Sequence, residues 1–483
     1  MTPNHATLSL GQQPPLQVAP VPPFIGIWAA MGPGVIWGAM AMGSGELIWW
    51  PYVTAKYGAA FLGLLLPACL MQYFVNQEIL RYTAATGEGL FQGFARVHRG
   101  FAVLMWLMLI MSFFWFGGYA SGGGTALQAL TDFPPGWDAK SGAVFWAYVL
   151  IALSLLALVL GKVVYRVIER LMLLIASITI AGLFSVIWFP EILATAGDFF
   201  RAYFNPFHLL AQGLPSNWDP KDASAMLTGI AFAGMGGFFN VMYSYWIRDK
   251  GLAMASYQGR VTSPVTGIPE RISPAGFAFA DTEDNRRHWH AWLRYLRIDN
   301  GMAVGVNLVT VMIMAWLAWA LLLPKGEVPS GWKLVVTQSE FFGFAWGPVG
   351  AALFLLVAAA YLGKVWLGVA DACSRMHADF VLSTFSRAQR FGFRTWYYVF
   401  VAILTTIALI TIPLATPETL LLLQGVFNFL SMAIYTPVLI YMNAVMLPKA
   451  YPRWVGPNRF ALFSVTLVAL IYLGIAIWYL LVI

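Results

Sequence analysis

The chain has 483 residues, 60% hydrophobic and only 10% charged, with a formal net charge of +7. Soluble domains carry about 25% charged residues, so the composition excludes a soluble enzyme or nucleic-acid-binding domain. Apolar stretches long enough to cross a bilayer recur throughout, which reads as an all-α polytopic membrane protein.

Residues 1–23, containing "QQPPLQVAPVPP", read as a short disordered cytoplasmic tail. The first charged residue after the start is Glu46, so no secretory leader is expected. Eleven spans are predicted near 24–56, 59–83, 101–130, 142–161, 164–189, 223–247, 296–323, 344–372, 396–415, 418–447 and 458–483. They group as a first half over 24–192, an extracellular loop over 193–222, a second half over 223–447 with a cytoplasmic loop at 257–290, and 448–483 carrying the last span. Cys69 and Cys373 fall in apolar segments and read as buried structural thiols.

Basic residues set the orientation. With a cytoplasmic amino terminus, the cytoplasmic segments hold Arg81, Arg96, Arg99, Lys162, Arg166, Arg170 and the runs at 248–297, 375–394 and 449–459. The other side keeps Lys56, Lys140, Arg201, Lys221, Lys325 and Lys333. The expected location is a plasma (inner) membrane with the carboxyl terminus outside. The positive charge then calls for no nucleic-acid partner.

Spans 1 and 6 are interrupted. "GAMAMGSGELIWW", 38–50, places Gly43, Ser44, Gly45 and Glu46 in mid-membrane, and "GIAFAGMGGFFN", 229–240, places Gly234, Gly236 and Gly237 there. Broken backbone at such depth is tolerated where it lines a cavity. Breaks five spans apart predict two inverted five-helix repeats plus an eleventh helix, with the cargo at their interface. The competing reading is close helix packing by the same glycines.

"GPGVIWGAMAMGSGELIWWPYVTAKYG", 32–58, resembles the first span of the Nramp divalent-metal transporters. The similarity continues through Gln72 to "TAATGEGL", 83–90, and to "LLLLQGVFNFLSMAIYTPVLIYMNAVM", 420–446, where Gln424 stands at the family's glutamine. The resemblance implies a LeuT-like fold and secondary transport. It also places Gly43 where the family has its metal-binding Asp, Ser44 at its Pro, Gly45 at its Gly and Glu46 at its Asn. The family's Met-Pro-His falls on Gly236, Gly237 and Phe238, with Met235 one residue away. Its acidic proton route falls on Phe116 and Tyr119.

The expected binding set is Met40, Gly43, Ser44, Gly45, Glu46, Ala233, Met235, Gly236, Gly237, Asn240, Lys364 and Gln424. Freed carbonyls of Met40, Gly43 and Ala233 would join Glu46, Ser44 and Gln424, the candidate metal ligands. An all-oxygen set suits a hard divalent cation such as Mg²⁺ or Mn²⁺. Lys364 sits mid-span and calls for a partner, Glu46 or Asp371 seven residues on. A Glu46 pair would favour an anionic or zwitterionic cargo. Glu78 with Arg81 reads as an interfacial ion pair, Asp299 and Asn300 as caps opening span 7, and His288 and His290 as part of a solvated loop. No catalytic motif and no resident cofactor is expected. The partners are a small ion or solute and the lipid bilayer. The rivals are transport of a different solute and a non-transporting membrane sensor.

Overall fold

The computed structural model describes residues 7–160, 164–262, 270, 272–273 and 275–482; of 44–46, 164–168 and 171 it describes the backbone only. The amino-terminal segment departs from expectation. From Thr7 onward it is built into the fold: β1, Thr7–Leu8, pairs antiparallel with β2, Leu16–Val18, and β2 pairs parallel with β3, Phe277–Ala278. Leu10 and Leu16 are buried, and Arg96 donates to the carbonyls of Leu10 and Pro14. Its prolines gave a disordered signature, but a distant loop supplies the strand edge and the apolar contacts that the segment lacks alone.

Span 1 comprises α1, Pro33–Ala41, a π-helical stretch at Met42–Trp49 and α2, Trp50–Tyr57. Span 2 is α3, Leu65–Thr86, closed by Gly87 in the left-handed region. The short α4, Leu90–Val97, leads to span 3, which is α5, Arg99–Phe113, followed by α6, Gly117–Thr131. Spans 4 and 5 are α7, Ala139–Leu160, and α8, Val164–Val186. Span 6 is split into α9, Ala223–Ala231, and α10, Phe238–Lys250. Then follow α11, Glu283–Leu317; α12, Glu340–Thr384, bent at Trp346–Gly347; α13, Gly392–Thr411; α14, Pro417–Tyr441; and α15, Arg459–Val482.

Among the described residues, seven helices are long and apolar enough to cross a bilayer, eight if the pair Leu47–Ala60 and Leu62–Thr86, bent by 118°, is one span. Span 6 does not pass such a test whole because its helix is split between Ala231 and Phe238. The chain is an integral membrane protein.

The helix of span 7 begins at Glu283, inside the stretch 257–290 expected to be loop, where Thr282 caps it by accepting from the Asn285 amide. Part of that expected loop, at 263–269, lies outside the described residues. Asn285, Trp289, Trp292, Leu293 and Leu296 face inward while Arg286, Arg287, Arg294 and Arg297 face out, a helical periodicity that gives the extension a packed side. Asp299 and Asn300 are therefore interior helix residues, not caps.

Candidate functional site

The two interruptions differ. In span 1 the chain stays helical through 42–49, but in the wider π form, whose amides reach back five residues. Carbonyls along it are taken into that ladder, and the Met40 carbonyl accepts from the Met42 amide. The expectation that Met40 and Gly43 present freed carbonyls is corrected. A ladder kept whole avoids unsatisfied groups in hydrocarbon. A Cβ on Gly43 would overlap Val365 Cγ2, and one on Gly368 would lie 2.5 Å from Met40 Sδ. Glycine at 43 thus serves the close approach of span 1 to α12, and a carboxylate there has no room. The side chains of Ser44 and Glu46, and with them the Glu46–Lys364 pair, lie outside what the structure describes, as does the burial of Gly45.

In span 6 the helix is unwound between Ala231 and Phe238. Met235 at φ +55 and Gly237 at φ +73 occupy the left-handed region, a strained placement for a methionine that surrounding contacts must hold. Those contacts come from three other helices. The Ala233 carbonyl, expected to be free, accepts from Asn307 Nδ2 at 2.9 Å and from the Cys69 thiol. Asn428 Oδ1 accepts from the Phe238 amide at 2.9 Å, and the Tyr435 hydroxyl donates to the Gly237 carbonyl at 2.9 Å. Asn240 Nδ2 donates to Gln72 Oε1 at 2.7 Å, and the Gly237 amide points at Met432 Sδ at 3.5 Å. Gly236 admits no side chain, because a Cβ would meet the Ala231 carbonyl at 2.5 Å and Met432 Sδ at 3.0 Å. The thioether that meets this unwound backbone is therefore that of Met432, a residue outside the expected set.

Gln424, one turn from Asn428 on α14, is fully buried, and neither end of its carboxamide has a hydrogen-bond partner among the described residues. Unsatisfied buried amides cost about 1–3 kcal/mol, and Asn76 and Gln77 on α3 are buried with both carboxamide ends likewise unpartnered among the described residues. Lys364 is 3% exposed, with its ammonium 4.0 Å from the centre of the Tyr361 ring. Asp371, its alternative partner, is taken by Arg375 at 2.7 Å and by the Tyr397 hydroxyl at 2.7 Å. Phe116 and Tyr119 are buried, with Phe116 stacked on Trp366 at 5.6 Å. No group of three or more His, Cys, Asp or Glu side chains able to hold a metal occurs among the described residues.

Separate polar locks close this region from each end. On the far face, Asp222 accepts from the Tyr52 hydroxyl at 3.0 Å and from that of Tyr57, and pairs with Lys56 at 2.6 Å, tying α2 to the start of α9. Trp50 Nε1 donates to the Gly229 carbonyl at 3.0 Å. On the amino-terminal face, Arg375 on α12 pairs with Asp371 and Asp249, and Arg248 on α10 pairs with Asp379 at 3.1 Å, which also accepts from Tyr245. Asp299 holds the start of α1 by accepting from the Gly34 amide at 2.9 Å, alongside the Tyr243 and Tyr295 hydroxyls. The expected Glu78–Arg81 ion pair is formed and is buried within the protein, and Arg81 also donates to the Val455 carbonyl. Gly43, Met235, Gly237, Asn240, Gln72 and Gln424 are all buried, so the region is sealed on both sides.

Sequence reasoning named Asn240 and Gln424 but did not assign Gln72, Asn307, Asn428, Met432 or Tyr435 to the site. The available signal was carboxamides inside apolar helices at helical spacing, Gln72 with Asn76, Asn300 with Asn307, and Gln424 with Asn428.

No protein-family model and no curated protein sequence matches the chain. Solved structures do. A manganese transporter of Eremococcus coleocola, in complex with an aromatic bis-isothiourea substituted compound, is 13% identical over 98% of this chain and 99% of its own, with a TM-score of 0.60. A mutant form of that transporter gives a TM-score of 0.57 at the same identity and coverage. MhsT in complex with L-phenylalanine is 16% identical over 93% of this chain and 98% of its own, with a TM-score of 0.54. The fold is LeuT-like: two inverted five-helix repeats and an eleventh helix.

Proposed function

We propose that the chain is a secondary active transporter working by alternating access, a divergent relative of the Nramp metal transporters. The observation that carries this is the unwound backbone at 232–237, placed between two independent locks, with the unused carboxamide of Gln424 one turn from the Asn428 that holds it. Such a site can be exposed to one side at a time as one lock opens while the other stays closed. The favoured cargo is a hard divalent cation, Mn²⁺- or Mg²⁺-like, with Glu46, Ser44 and Gln424 as its ligands. Its support is the resemblance of span 1 and the likeness of fold to a manganese transporter.

A second cargo class has its own support. Val365 fills the place beside Gly43 where the related family carries its aspartate, and Lys364 puts a buried ammonium one residue away. The carboxamide donors near the break suit a small anionic or zwitterionic solute, whose negative group would meet helix amino termini.

Flux into proteoliposomes separates the two, with Mn²⁺, Mg²⁺, protons and small anions tested in turn. Metal uptake by the wild type that falls roughly tenfold or more in Glu46→Gln supports the cation reading, since a lost ligand charge weakens a hard-cation site steeply. Anion uptake lost in Lys364→Ala supports the second. No flux of any of them above empty liposomes overturns both.

A further inference from the structure

On the amino-terminal face, a cavity of about 330 Å³ opens between the first turns of α11 and the connector that precedes α15. His290, Arg294, Arg297, Trp454 and Asn458 line it, with Arg81 among the lining residues. Arg81 is neutralised by Glu78, and Asp281, which accepts from the Trp454 indole at 2.9 Å and keeps its charge, lies beside that ring. Arg294 and Arg297 are exposed and lie within ion-pair distance of no carboxylate among the described residues. Burial first, then the nearby Arg286 and Arg297, holds His290 below its ordinary imidazole value against an opposing pull from Glu283.

The cavity adjoins two apolar stripes. Along α11, Ile298 and Met302 follow Arg294 at spacings of four and are 49% and 41% exposed. Along α15, Phe460, Phe463, Leu467 and Leu470 repeat at three and four, all exposed, with Phe460 at 70%. A cationic pocket at the head of two lipid-facing stripes, with a tryptophan at the boundary, matches an amphiphile in charge and shape.

We propose that this cavity is a specific site for the headgroup of an anionic phospholipid of the leaflet on the amino-terminal side, with Arg294 and Arg297 on the phosphate and the acyl chains along α11 and α15. The pocket borders Arg81, whose hydrogen bonds hold Val455 and Gly456, so its occupant sits against the amino-terminal lock.

The full-length protein in nanodiscs of phosphatidylcholine, with and without phosphatidylglycerol, tests this. Native mass spectrometry after detergent exchange reads the retained lipid. The expected result is retained phosphatidylglycerol in preference to phosphatidylcholine, falling roughly tenfold in Arg294→Gln/Arg297→Gln and unchanged in Arg387→Gln/Arg390→Gln on the same face. Both arginine pairs are exposed, so both variants should fold. Equal loss in the two variants would reduce the effect to general surface attraction and overturn the site. So would absence of lipid preference, or displacement of the lipid by inorganic phosphate at equal strength, which would point to a soluble anion.

Discussion

The two faces of the bundle are locked by different chemistry. On the amino-terminal face Arg81, Arg96, Arg248 and Arg375 are buried to 2% exposure or less, each against a carboxylate that is equally hidden. On the far face Asp222 gathers two tyrosines and a lysine whose side chain is 28% exposed. A buried ion pair offsets its desolvation only while its geometry is complete, and removing one partner strands a charge. A partly wetted pair loses little when water replaces it. The amino-terminal lock should therefore move as rigid blocks or not at all, while the far lock can part residue by residue. The far face is the one that should open more easily.

The strongest way to break this comparison is Arg375→Met. It leaves Asp371 buried without its cation and Asp249 with only Arg248 at 3.9 Å, a loss of about 3–5 kcal/mol. Thermal unfolding in detergent should fall accordingly, and Cys373, now fully buried two residues away, should become reactive to maleimides. Unchanged stability with Cys373 still protected would refute the rigid-block view. Next in size is Asp222→Asn, which removes the countercharge of Lys56 and one of the two oxygens that accept from Tyr52 and Tyr57. An effect of about 1–2 kcal/mol is expected, a shift of roughly tenfold toward the far-open form. A Thr228→Cys reporter, buried in the closed form, should label faster from that side; the same labelling rate with and without the substitution would show that Asp222 is no lock.

The smallest effect belongs to the loop near β3. A hydrogen bond from Arg260 holds the Glu270 carboxyl below its ordinary value of 4.5. A depressed carboxyl stabilises above its unfolded value and loses that stabilisation as pH falls through the folded one. Both side chains are substantially exposed, so screening leaves well under about 1 kcal/mol. Lowering the pH from neutral to about 4 should slightly speed proteolysis of this loop, and Glu270→Gln should abolish that pH dependence. Identical pH dependence in the variant would assign it elsewhere.

The helices were legible because apolar runs of bilayer length carry their own explanation. The interruptions were legible as glycine clusters, but not their kinds. "GSGE" at 43–46 lies in a π-helix with Gly43 packed on Val365, whereas "GMGG" at 234–237 is unwound, with Asn307, Asn428 and Tyr435 taking backbone groups of 233–238. Lys364 and Asp371 looked like partners by spacing, yet Arg375 and Tyr397 hold Asp371.

By itself the sequence determined that this chain lives in a bilayer and where its backbone is weakest. Those follow from local hydropathy and from glycine, which act over one helix length. Only the tertiary structure decided which weak point unwinds, which side chains repair it, and that an apparent tail is a strand. Each of these depends on hydrogen bonds between residues far apart in sequence, such as Asn240 with Gln72 and Gln17 with the Gly276 carbonyl, whose pairing no local pattern encodes.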